Sequence, residues 1–187
     1  MRLYALCDQE LLDKHDLSVE EYIEIAKEHS AEIIQYRNKT SDIAFIKQQL
    51  VKIRKSYDGF LIVNDAYELV EFCDGVHVGQ EDLALIDKDV EKAVKILRSV
   101  IGKDKILGIS THSIEEVLVA NTLDLNYIGL GAYRQTNTKD VGTVLGHKLA
   151  NIALKSQHPV AAIGGVKLDD VLENITYHVI GSGLITK

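Results

Sequence analysis

One feature constrains this chain more than any other. Short apolar runs that end in Gly, Asn, Asp or Ser alternate strictly with longer stretches of helical period. The runs predict strands at 2–7, 32–36, 60–63, 75–78, 105–109, 127–130, 160–163 and 177–180. Several are almost wholly apolar, such as FLIV and VAAI. That suits strands buried on both faces, as in a parallel sheet covered by helices. Between them, Val19, Tyr22, Ile23 and Ala26 recur at helical spacing, as do Val90, Ala93, Val94 and Leu97. Further stripes run through Ile43, Ile46, Leu50 and Ile53, through Leu145, Leu149 and Ile152, and through Leu168, Val171, Leu172 and Ile175. A short one joins Ala66, Leu69 and Val70. Ser18 with Glu21, and Ser113 with Glu116, have capping-box spacing.

The tally is eight strands and seven helices, and eight is the number that closes a (β/α)8 TIM barrel. The rival is an open doubly wound sheet, which usually uses fewer strands. At 187 residues the chain is short for a barrel, whose usual low end is about 200, so its loops must be short. The expectation is a single α/β domain over 1–187. The pattern stops just after the eighth strand, so the final helix is missing. The outer faces of the first and last strands are then expected to lie uncovered, calling for a partner copy or a rearranged helix at that seam.

Composition narrows the function. A formal net charge of −7 speaks against a broad basic footprint for nucleic acid. No apolar run approaches the roughly 20 residues of a membrane span. The first residues, MRLYALCDQE, meet an acid too early for a secretory signal, so a cytoplasmic protein is expected. Cys7 and Cys73 sit in apolar settings and read as inert buried thiols.

The polar residues fall where the strands end, which is where a barrel keeps its active site. After strand 2, alternation puts Gln35, Arg37 and Lys39 on one side. Cations held there are costly to bury without an anion, and Arg and Lys both suit phosphate. Asp65 and Asp82 follow strands 3 and 4. They read either as helix caps or as a carboxylate pair around Mg²⁺, which takes one or two carboxylates plus substrate phosphates. Ser110 and His112 follow strand 5, His112 being a candidate proton shuttle or a structural residue at a helix start. The loop 131–142 carries Thr136, Thr138 and Lys139 and reads as a lid over an anionic substrate, or as a surface loop. Gly164-Gly165 and Gly181-Ser182-Gly183 end strands 7 and 8, the recurrent phosphate site of this barrel. Small phosphorylated ligands are implied.

Taken in order, QYRNK at 35–39, VND at 63–65, DGVHVGQED at 74–82, GISTHS at 108–113, YIGLGAY at 127–133, TNTK at 136–139 and VAAIGGV at 160–166 resemble the thiamine phosphate synthase and thiazole tautomerase family. The resemblance runs nearly the whole chain. It implies a transferase that joins a hydroxymethylpyrimidine diphosphate to a thiazole phosphate in a dissociative step with Mg²⁺. It also implies residue roles. Gln35 would meet the pyrimidine. Arg37, Lys39, Asn64 and Lys139 would hold the diphosphate, and Asp65 and Asp82 the metal. Ser110 would contact the diphosphate substrate. Thr136, Thr138, Gly165, Gly181 and Ser182 would serve the thiazole and its phosphate.

The family usually has Pro before the first Thr of the lid, after an aromatic residue. This chain has Tyr133-Arg134-Gln135 there. Two other readings stand beside the synthase. One is a tautomerase with His112 as acid–base, which needs neither diphosphate nor metal. The other is a silent phosphate-binding barrel acting through a partner.

Overall fold

In a computed structural model describing residues 1–135 and 144–185, eight parallel strands pair in sequence order: β1 (Arg2–Asp8), β2 (Ile33–Arg37), β3 (Phe60–Asn64), β4 (Gly75–Val78), β5 (Ile106–Thr111), β6 (Tyr127–Leu130), β7 (Val160–Ala162) and β8 (Tyr177–Ile180). β8 then pairs with β1, Arg2 opposite Tyr177 and Ala5 opposite Ile180, so the sheet closes. A doubly wound sheet keeps two open edges and is thereby excluded. The barrel expectation holds.

Strand parity sorts the side chains. Leu3, Ala5 and Cys7 of β1 pack outward among the helices. Tyr4 and Leu6 turn inward, where they meet Ile33, Ile62, Tyr127, Ala161 and Val179. The axis is therefore a packed core, not a pore. Gly108 makes room for it, since a Cβ there would come within 2.2 Å of the Tyr127 ring.

The helices are α1 (Gln9–Lys14), α2 (Val19–Glu28), α3 (Ile43–Ser56), α4 (Gln80–Ile86), α5 (Val90–Ile101), α6 (Ile114–Ala120) and α7 (Lys148–Ala153). In α2 all four residues of the expected stripe are buried, and Ser18 and Glu21 close a full capping box. In α3 the stripe holds for Ile46, Leu50 and Ile53, while Ile43 is exposed. Ser113 caps α6 by accepting from the Glu116 N–H at 3.2 Å. The Glu116 carboxylate instead accepts from the His112 N–H at 2.7 Å, so that box is only half made. Among the described residues no helix is long and apolar enough to cross a membrane.

Three expectations are corrected. The stretch after β3 is a 3₁₀ segment, Tyr67–Phe72, rather than an α-helix. Leu168–Ile175 forms turns and no helix. Eight residues hold a helix only if tertiary contacts support the whole stripe, and half of it is unsupported: Leu168 and Val171 are exposed, Val171 by 92%. Asp170 instead accepts from the Lys167 N–H at 2.8 Å, and Asn174 turns left-handed at φ 62°. Leu172 and Ile175 still pack on the core. Finally, the seam is not bare. Leu3, Ala5 and Cys7 of β1 and His178 and Ile180 of β8 are all buried within this chain. Cys7 and Cys73 are buried too, and burial pushes both thiols up in pKa, as inert core residues require.

Candidate active site

The C-terminal ends of the strands open on a cavity of about 580 Å³. Its floor is a chain of polar groups inside the barrel. Gln35 donates to the Tyr4 hydroxyl at 2.6 Å. Tyr4 and Tyr127 hydroxyls meet at 2.8 Å, and the Tyr127 hydroxyl lies 2.9 Å from His77 Nδ1. His77 Nε2 is 3.0 Å from Ser110 Oγ. Burial pushes both tyrosines well up, so both remain protonated donors at neutral pH.

One wall is charged. Asp8 and Arg37 face each other across the β1–β2 ladder, and Arg37 Nη1 donates to Asp8 Oδ2. Beyond β2, Asn38 Oδ1 accepts from the Thr40 and Ser41 N–H groups at 3.0 and 2.9 Å. This Asx turn redirects the chain after Asn38, and Lys39 faces the cavity. Lys39 Nζ lies 2.5 Å from Asp65 Oδ2 and 3.0 Å from Asp82 Oδ2. Burial works to lower the Lys39 ammonium, but the hydrogen bonds it donates to the two carboxylates outweigh it and hold the group above its ordinary pKa.

Neither aspartate is a cap. Ala66 precedes the 3₁₀ segment and Gly79 precedes α4. Asp65 adopts φ 59°, and its Oδ1 accepts from the Gly79 N–H at 3.1 Å while Asn64 Nδ2 donates to its Oδ2. The two carboxylates thus converge on a single cationic position.

The opposite wall is backbone. Gly164, Gly165 and Val166 follow β7, and Gly181, Ser182 and Gly183 follow β8. Gly164 and Gly165 both have positive φ, 88° and 66°, which only glycine adopts at no steric cost. Gly181 is different. A Cβ there would meet nothing closer than 3.8 Å, so space does not demand the glycine. On the rim, His112 Nδ1 is 3.2 Å from Glu116 Oε2.

A family model for thiamine monophosphate synthase matches residues 3–186. The chain belongs to the thiamine monophosphate synthase family. A thiamine-phosphate synthase of Persephonella marina is 38% identical over 182 residues, 92% of this chain and 82% of that protein. One of Clostridium acetobutylicum is 37% identical over 193 residues, 99% and 85% of the two chains. A solved thiamine phosphate pyrophosphorylase from Pyrococcus furiosus superposes with a TM-score of 0.76 at 27% identity, over 97% of this chain and 85% of that one. An N-acetylmannosamine-6-phosphate 2-epimerase from Clostridium perfringens, at 12% identity and TM-score 0.61, shares the fold.

Against this family background the residues singled out from sequence fall as follows. Gln35, Arg37, Lys39, Asn64, Asp65, Asp82, Ser110, His112, Gly165, Gly181 and Ser182 all line the one cavity. Thr136, Thr138 and Lys139 lie outside the described residues. Sequence reasoning missed Asp8, His77 and Gln80. Strand parity could have found the first two: Asp8 continues the inward set of Tyr4 and Leu6, and His77 stands opposite inward Asn64. Gln80, which donates to the Ser110 carbonyl at 2.5 Å, carried no such signal.

Proposed function

We propose that this barrel is a thiamine phosphate synthase that joins a hydroxymethylpyrimidine diphosphate to a thiazole phosphate, releases pyrophosphate, and uses Mg²⁺. Family membership supports the activity. The observation that carries the site assignment is the charged wall: Arg37 and Lys39 beside Asp65 and Asp82, in one cavity of an acidic protein.

The bond that breaks joins the pyrimidine methylene carbon to the diphosphate oxygen, and its electron pair leaves with pyrophosphate. The bond that forms joins that carbon to the thiazole nitrogen, which supplies the new pair. No proton need move in the coupling. The chain's task is to stabilise charge on the leaving group and hold the nucleophile in line.

Arg37, kept in place by Asp8, and Lys39 bind the diphosphate oxygens. Lys139 adds a third cation. Gln35, anchored on Tyr4, orients the pyrimidine, and Ser110, held by His77, meets the diphosphate substrate. Asn64 fixes Asp65 and adds a donor for the diphosphate. Gly165, Gly181, Ser182, Thr136 and Thr138 take the thiazole phosphate.

The donor set suits a hard divalent cation: two carboxylates that already converge on one positive charge. Asp65 and Asp82 would hold the Mg²⁺, which when bound neutralises part of the diphosphate charge.

A second reading, a thiazole tautomerase, rests on the His112–Glu116 pair at the rim. The test is direct. Protein is mixed with both substrates and Mg²⁺, and thiamine phosphate and pyrophosphate are followed together. Equal appearance of both is the expected result; no product from folded protein overturns the synthase reading.

A further inference from the structure

Arg134 lies just after β6, yet its side chain serves the loop after β7. Arg134 Nη1 and Nη2 donate to Asp170 Oδ2 and Oδ1 at 2.5 and 2.7 Å, a forked pair. The same Nη1 donates to the Gly165 carbonyl at 2.8 Å, and the Arg134 backbone N–H donates to the Gly164 carbonyl at 2.8 Å. The guanidinium also lies 4.3 Å from the centre of the Tyr133 ring. Its partner Asp170 is held below its ordinary pKa, first by this hydrogen bond. Neither Arg134 nor Asp170 lines the cavity. They brace the glycine turn from behind.

That bracing fixes a direction. In a trans peptide the N–H points opposite to the C=O. The Gly164 carbonyl is held by Arg134, so the Gly165 N–H faces away from it. The Gly165 carbonyl is held by the same residue, so the Val166 N–H does likewise. Both Gly165 and Val166 line the cavity, and among the described residues neither N–H meets a backbone acceptor. Two consecutive left-handed glycines leave this turn with many backbone alternatives. Arg134 removes them.

We propose that Arg134, anchored by Asp170, is a positioning residue that sets the anion specificity of this wall. It holds the Gly164–Gly165 turn in the orientation that presents backbone N–H groups to a phosphate monoester. The identity of that monoester as a thiazole phosphate rests on the synthase reading; the positioning itself does not.

Two readouts separate these claims. In protein labelled with ¹⁵N-glycine, inorganic phosphate should shift the Gly165 resonance. Arg134→Ala should need about tenfold more phosphate for the same shift, and Arg134→Lys, which keeps the charge but not the fork, should recover only part of the difference. Asp170→Asn, which keeps the turn chemistry but loosens the guanidinium, should weaken binding in the same direction. In the coupling assay, Arg134→Ala should raise KM for thiazole phosphate about tenfold while kcat and KM for the pyrimidine diphosphate hold. KM for the unphosphorylated thiazole alcohol should not change.

An unaltered phosphate titration in folded Arg134→Ala overturns the proposal. So does tighter binding in Asp170→Asn, which would mean that the guanidinium contacts phosphate itself. A weakened titration with no coupling activity in the wild type would leave the positioning role standing and remove the synthase reading.

Discussion

The Arg37 guanidinium is tied to the Asp8 carboxylate directly across the β1–β2 ladder. Asp8 is only 2% exposed, and it also caps α1 by accepting from the Leu11 N–H at 3.3 Å. A cation of the cavity wall is thus anchored to the fold at a single buried acid. Asp8→Ala strands Arg37 and removes the cap, which should cost about 3 kcal/mol or more. Asp8→Asn keeps the cap and should cost less, yet raise KM for the diphosphate substrate. Chemical denaturation and steady-state kinetics check both arms.

Asp65 and His112 divide the two enzymatic readings. Asp65→Ala removes one of the two carboxylates on Lys39 and, on the proposed reading, one donor for the metal. It should lower coupling by about a hundredfold or more, the usual loss when a transition-state charge stabiliser is removed. His112→Ala should change coupling by less than about threefold, because no proton need move. The reverse pattern, with thiazole isomerisation lost in His112→Ala, would identify a tautomerase.

Tyr127 joins the two halves of the cavity floor, since its hydroxyl contacts both Tyr4 and His77. Tyr127→Phe keeps the ring that Gly108 accommodates and deletes both hydrogen bonds. The expected loss is about 2 kcal/mol, a fall in Tm of roughly 4–8 °C for a chain of this size. Ser110 loses the support of a fixed His77, so kcat/KM should fall as well. Thermal melts alongside kinetics report the two effects separately.

His178 gives the fold an acid sensitivity. It is 5% exposed, on the outer face of β8, and neither ring nitrogen has a hydrogen-bond partner among the described residues. Burial first, then the N-terminal amine, lower its pKa, against an opposing pull from Asp170. The unfolded chain therefore takes up this proton more readily than the folded one. Stability should fall as pH drops below about 6.5, by at most about 1.4 kcal/mol per pH unit, and be level above it for this group. His178→Leu should remove that slope. Denaturation curves between neutral and mildly acidic pH decide the matter; an unchanged slope in the variant would contradict it.

Much of this was legible in the sequence, and for definite reasons. The near-continuous apolar runs marked all eight strands because both strand faces are buried, and polar residues at their ends marked the mouth. What failed was marked by weak local signals. The stripe Leu168–Ile175 has helical spacing, but Asp170 is taken up by Lys167 and Arg134 instead of by a helix turn. The seam was expected to be bare because no helical pattern follows β8, whereas α1 and α2 pack against β1. Asp8 was missed because the apolar run ends one residue earlier, at Cys7. Lys39 lines the cavity as strand alternation suggests, although the strand ends at Arg37 and the Asx turn at Asn38 carries the chain onward.

The measurement that bears most directly on the central claim is the Mg²⁺ dependence of coupling, in wild type and in Asp65→Asn. Wild-type turnover should vanish when Mg²⁺ is chelated and return when it is restored. The variant should need far more Mg²⁺ for any turnover. Full wild-type turnover in chelator, or a variant with the wild-type Mg²⁺ requirement, would contradict the assignment of Asp65 and Asp82 and with it the account of the charged wall.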